Sequence, residues 1–150
     1  MYSVKRSAIV PYTAIEMYAL VENVEEYGDF LPWCGGSALL ERDGTRTVAR
    51  VDIDFKALKK SFVTENQNEP GRSIDIRLKE GPFRHLEGIW KFDTLSESAS
   101  RVSLDLEFEF SGIALDKLFG PVFSGISKSM VDSFVKRAEQ VYGKRKLSFG

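Results

Sequence analysis

The feature that most constrains this chain is a change of hydrophobic period close to residue 111. From Arg101 to Phe110, Val102, Leu104, Leu106, Phe108 and Phe110 alternate with Ser103, Asp105, Glu107 and Glu109. Side chains of a strand point to opposite faces in turn, so one face is apolar and the other solvated, as in an antiparallel sheet. Beyond Gly112 the period changes. Leu115, Leu118, Phe119, Val122, Phe123, Ile126, Met130, Phe134, Ala138 and Val141 recur at steps of three and four. That spacing predicts a long amphipathic helix. Gly120-Pro121 interrupts it, and Pro121 either opens the main helix at its first turn or kinks a continuous one. An apolar sheet face has to be covered, and the helix carries the matching stripe. The class is therefore α+β, with a curved antiparallel sheet wrapped around a long C-terminal helix.

The remaining elements fit that frame. Tyr2–Val10 reads as a strand ended by Pro11. Thr13 stands three residues before Glu16, the capping-box spacing that starts a helix with Met17, Leu20, Val21 and Val24 on one face. Residues 25–33 are short and irregular, broken by Gly28 and Pro32. Strands follow at Ala38–Arg42, Thr45–Phe55, Lys60–Asn66, Ser73–Lys79 and Phe83–Thr94, separated by Gly44, a tip at Ala57, Pro70-Gly71 and Gly81-Pro82. No repeat or linker divides the chain. The expectation is one domain over residues 1–143 and a flexible tail over 144–150.

Composition excludes several classes. A chain of 150 residues buries enough surface to fold without a metal or a disulfide. The single cysteine, Cys34, cannot form an intramolecular disulfide. The net charge of −1 supplies no global field for nucleic acid, and DNA is not an expected partner. Met1 to Val10 lacks the long apolar core of a signal peptide, so none is expected, and no apolar run of about 20 residues occurs in the sequence. The expectation is a cytoplasmic chain of bacterial type, with peripheral contact at the inner membrane left open.

Several short stretches together resemble a known family. They are Val10-Pro11-Tyr12, Met17-Tyr18, Val21, Tyr27, Phe30-Leu31-Pro32, Cys34, Gly81-Pro82-Phe83, Leu86, Gly88, Trp90-Lys91-Phe92 and Phe108-Glu109-Phe110. In order and spacing the chain resembles the coenzyme Q-binding START-domain family of the polyketide cyclase/START-like superfamily, whose bacterial branch includes the ribosome association toxin RatA. The resemblance runs from about Val4 to Tyr142. It implies the helix-grip (START-like) fold, with a ligand between the sheet and the C-terminal helix. It also implies one of two activities, ubiquinone binding in support of respiration or a block on association of ribosomal subunits. Fold does not choose between them.

With that resemblance, Phe62, Leu86, Trp90, Phe92, Phe108 and Phe110 of the sheet and Val122, Ile126 and Met130 of the helix are the candidate cavity residues. Aromatic rings suit a quinone head and an isoprenoid chain, and Met adapts to irregular shapes. The plain alternative is that they pack solidly together. Gly88, Ser124, Gly125, Ser127 and Ser129 are small neighbours that leave space. Phe30, Leu31, Trp33, Phe119 and Phe123 are candidate gate residues. The loop Phe30–Gly36 reads equally as a membrane-touching lip or as a plug of the core.

Lys56, Lys59 and Lys60, Arg84 and His85, and Lys144, Arg145 and Lys146 form short basic groups that suit phospholipid or ribosomal RNA phosphate, or are simply solvated. Catalysis finds little support. His85 is the only histidine, and no nucleophile triad, metal-binding spacing or phosphate-cradling glycine loop is present. No catalytic residue, metal or covalent cofactor is expected. The expected partners are ubiquinone or another isoprenoid lipid, a membrane surface, and the large ribosomal subunit as the alternative.

Overall fold

A computed structural model describes residues 1–147. The elements are β1 (Tyr2–Val10), α1 (Ala14–Glu22), a 3-10 segment (Val24–Asp29), β2 (Cys34–Asp43), β3 (Arg46–Phe55), β4 (Leu58–Glu69), β5 (Ser73–Glu80), β6 (Phe83–Thr94), β7 (Ser100–Phe110) and α2 (Ile113–Tyr142). The seven strands form one antiparallel sheet in the order β1-β7-β6-β5-β4-β3-β2. Consecutive strands are hairpin neighbours except β1, which returns to pair with β7, Tyr2 opposite Phe108.

Local chemistry sets the boundaries. The Thr13 side chain accepts from the Glu16 N–H while the Glu16 carboxylate accepts from the Thr13 N–H, the expected capping box. Gly44 and Gly71 turn the chain with positive φ. β2 begins at Cys34, four residues earlier than the alternation suggests. Irregularities between Cys34 and Gly36 and between Leu39 and Glu41 break its period.

α2 is one continuous helix with Pro121 inside it. Pro121 is exposed, so the backbone acceptor it leaves without a helical donor lies on the solvent side. The helix buries Phe119, Phe123, Ile126, Val131, Phe134 and Ala138 against the sheet. Leu118 and Val141, on the expected stripe, are exposed, because the stripe is narrower at the helix ends. Residues 144–147 have no regular structure, yet Arg145 donates to both Glu16 carboxylate oxygens at 2.8 and 3.0 Å. The rest of the expected tail, 148–150, lies outside the described residues.

Candidate functional site: a cavity between sheet and helix

The sheet and α2 do not close completely. Between them lies a cavity of about 90 Å³. One water needs about 10–15 Å³ on this measure, so the space exceeds a single solvent site several-fold.

Two aromatic clusters hold the layers apart. Toward the start of α2, Phe83 stacks on Phe110 at 4.4 Å, Phe108 meets Phe123 at 4.7 Å, and Phe110 meets Phe119 at 6.2 Å. Toward its end, Phe134 is ringed by Tyr27 at 5.5 Å, Phe30 at 5.2 Å and Trp90 at 5.4 Å. The Arg137 guanidinium covers Phe30 at 4.9 Å and pairs with Glu26 at 3.2 Å.

The structure distributes the candidate residues as follows. Phe62, Leu86, Trp90, Ile126 and Met130 line the cavity, together with Trp33 and Phe123. Phe108 and Phe110 face the same side of the sheet but belong to the first aromatic cluster, where the layers touch. Phe92 packs edge-on against Tyr18 at 5.8 Å. Val122 is half-buried and does not line the space. Of the other gate candidates, Leu31 and Phe119 are buried and Phe30 is half-buried, none of them on the cavity wall. Leu31 and Trp33 are only 2% and 4% exposed, so the loop folds inward as a plug.

Small residues contribute less space than their size suggests. A Cβ on Gly88 would stand 2.7 Å from Leu106 Cδ1, so Leu106 already fills that gap. Ser127 is buried and donates to Phe123 O at 2.8 Å, while Gly125 and Ser129 are exposed.

The larger part of the wall comes from β2–β5, the end of α1 and the 3-10 segment. Leu39, Ala49, Val51, Ile74 and Ile76 supply apolar surface, and Val21, Val24 and Tyr27 supply more. Four polar side chains also line it: Thr47, Thr64, Asn66 and Asn68. A parity signal in the sequence could have found all four, since Thr47 shares the parity of Ala49, Val51 and Ile53, and Thr64, Asn66 and Asn68 share that of Phe62. Glu22 is the one acidic residue on the wall, and no basic residue lines it among the described residues. Arg42 pairs with Glu22. The Tyr27 hydroxyl donates to Val21 O, and burial pushes its ionisation far above the usual tyrosine range.

Other reactive groups lie elsewhere. Cys34 is half-buried and its thiol donates to Gly36 O at 3.2 Å; burial raises its pKa, which opposes thiolate formation. Asp54, Asp105 and Glu107 are exposed, and Asp52 and Glu109 are partly so, on the outer face. His85 lies beside Glu107 at 3.7 Å. No cluster with metal-ligating potential occurs among the described residues, and none of their helices is long and apolar enough to cross a membrane.

Comparison with known proteins agrees with this architecture. Residues 10–135 match the family described as polyketide cyclase / dehydrase and lipid transport. The ribosome association toxin RatA of Vibrio cholerae is 45% identical over 143 residues, covering 95% of this chain and 99% of that protein. The mitochondrial coenzyme Q-binding protein COQ10 homolog B of Xenopus laevis is 29% identical over 94% of this chain and 59% of its own length. Among solved structures, the Zhui aromatase/cyclase of Streptomyces superposes with a TM-score of 0.78 at 19% identity, covering 93% of this chain and 94% of that one. The chain thus belongs to the polyketide cyclase / dehydrase and lipid transport family, in the START-like branch that includes the ribosome association toxin RatA.

Proposed function

We propose that this chain binds a hydrophobic small molecule, ubiquinone or a related isoprenoid, in the cavity between sheet and α2, and so supports quinone function in respiration. The observation that carries the reading is the largely apolar cavity walled by Trp33, Phe62, Trp90, Phe123, Ile126 and Met130. An empty apolar cavity costs ~24 cal/mol per Å³. A guest that fills about 90 Å³ with apolar atoms would on that scale contribute about 2 kcal/mol. Each buried methylene of a ligand adds ~0.8 kcal/mol. The coenzyme Q-binding name of the Xenopus relative points to the same ligand class. At about 90 Å³ the space takes a few methylenes, and an engineered cavity that binds benzene is about 150 Å³, so a quinone head ring requires the Phe30–Gly36 plug or α2 to shift. The role is binding rather than catalysis, since Glu22, the one carboxylate on the wall among the described residues, is already held by Arg42. Solvent extraction and mass spectrometry of protein made in a quinone-replete host test it. Quinone at near one per chain is expected, and an extract free of quinone and lipid overturns the reading.

A second reading rests on the 45% identity to the Vibrio cholerae toxin. Here the chain contacts the large ribosomal subunit and hinders subunit joining. The β3–β4 tip with Lys56, Lys59 and Lys60 and the β5–β6 turn beside Arg84 lie at the same end of the antiparallel sheet. The three lysines are exposed and form no ion pair among the described residues, so this end presents cations suited to RNA phosphate. Co-sedimentation with large subunits that weakens as salt rises, and is lost on changing all three lysines to Glu, is expected. Salt-independent binding, or none, removes the reading.

A further inference from the structure

The polar part of the cavity wall is only partly matched. Thr47 on β3 stands opposite Asn66 on β4, and Thr64 stands opposite Ala49, so the polar side chains sit side by side on two adjacent strands. Thr47, Thr64 and Asn68 are 4%, 5% and 5% exposed. Asn68 Nδ2 donates to Thr47 Oγ1 at 3.4 Å, a long contact. The buried amide oxygens of Asn66 and Asn68 accept no hydrogen bond among the described residues. An unmatched buried polar group costs about 1–3 kcal/mol. Valine and leucine would fill the same volumes without that cost, so the cluster weakens the fold unless a bound group meets it.

We propose that Thr47, Thr64, Asn66 and Asn68 form a head-group subsite for an uncharged, oxygen-bearing ring or alcohol, with the apolar part of the guest against Leu86, Trp90, Phe123 and Ile126. The proposal rests on the ligand-binding reading above and sharpens it. Amides and hydroxyls offer both donors and acceptors, which matches carbonyl and hydroxyl oxygens of a quinone or quinol. An anionic head is disfavoured. No Lys, Arg or His lines the space among the described residues, while Glu22 does. A carboxylate or phosphate brought there would be buried without a free countercharge, since Arg42 lies off the wall and is already paired with Glu22. Fatty acids and phospholipids are therefore poor guests, and the cavity selects its ligand by head chemistry as well as by greasiness.

The test compares three probes on the full chain: decylubiquinone, decanoate and butylbenzene, which carries no polar head. Quenching of Trp33 and Trp90, the two tryptophans of the chain, reports decylubiquinone directly, and competition reports the others. Wild type is expected to bind decylubiquinone at least about tenfold tighter than decanoate. The double variant Thr47→Val/Asn68→Leu is expected to lose about tenfold for decylubiquinone while butylbenzene changes by less than about twofold. Thr64→Val alone repeats the comparison with a smaller perturbation should the double variant fold poorly. Equal losses for both neutral probes, no loss for either, or decanoate binding as tightly as decylubiquinone overturns the subsite while leaving the cavity reading intact. Failure of all three probes to bind wild type overturns both.

Discussion

The ring of Tyr2 occupies the space that a side chain at position 120 would need. Any Cβ on Gly120 would overlap that ring. Tyr2 also stacks on Phe108 at 5.1 Å, so the first residue of β1, the sheet and α2 meet at one point. Gly120→Ala is expected to destabilise the fold by about 1–3 kcal/mol, the usual cost of overpacking. Chemical denaturation measures it. The double change Tyr2→Ala/Gly120→Ala is expected to show coupling between the two sites, and strictly additive losses would contradict the contact.

Phe134 is fully buried among Tyr27, Phe30 and Trp90. Its truncation to Ala is expected to cost about 3–5 kcal/mol. Because this cluster spaces α2 from the sheet, the same variant is expected to change Trp90 fluorescence in the folded state. A loss below about 1 kcal/mol would show that the cluster collapses without penalty.

Ala49 faces the cavity and is 2% exposed. Ala49→Leu puts three more carbons into the cavity. Its melting temperature is expected to equal or exceed that of the parent, while the lipid recovered by extraction falls. Undiminished lipid content in a stably folded Ala49→Leu protein would place the guest elsewhere.

Glu16 gives a pH signature. Hydrogen bonds from Arg145 are the largest influence on its carboxyl and hold it below the usual glutamate range, with partial burial opposing them. The unfolded chain therefore takes up this proton at a higher pH than the folded one. The stabilisation is complete above the ordinary glutamate value of about 4.3 and drains away as pH falls below it, through the lowered folded value. Thermal melting at stepped pH reads this loss. Glu16→Gln is expected to lower the melting temperature at pH 7 and to flatten the acid limb, whereas an unchanged acid limb assigns that limb to other carboxylates.

The strands and α2 were legible because their faces differ. β1 and β6 begin and end where alternation and turn residues place them, and the capping box fixes the start of α1. β2 was legible only in part, since Gly35-Gly36 carry no side chains to alternate. The extra chain there folds under Asp52, whose carboxylate lies where a Cβ on Gly36 would be, at 2.8 Å. The cavity was harder to read. Phe108 and Phe110 share the apolar face with Leu104 and Leu106, and only the position of α2 decides which of them touch it and which look into space. Thr64, Asn66 and Asn68 were passed over because polar residues in a strand are ordinarily assigned to solvent. Parity with Phe62 points them inward, and the cost of burying them is what makes that placement informative.

The return of β1 to β7 has a consequence for how the chain is made. Tyr2 finds its partner only when Phe108 exists, so the first strand waits through most of synthesis with its backbone donors and acceptors unmatched. The five hairpins from β2 to β7 need only near neighbours in sequence, so each has its partner as soon as its second strand emerges. Closure depends on the most distant pairing and on the last helix together, so the apolar sheet face stays uncovered until α2 has been made.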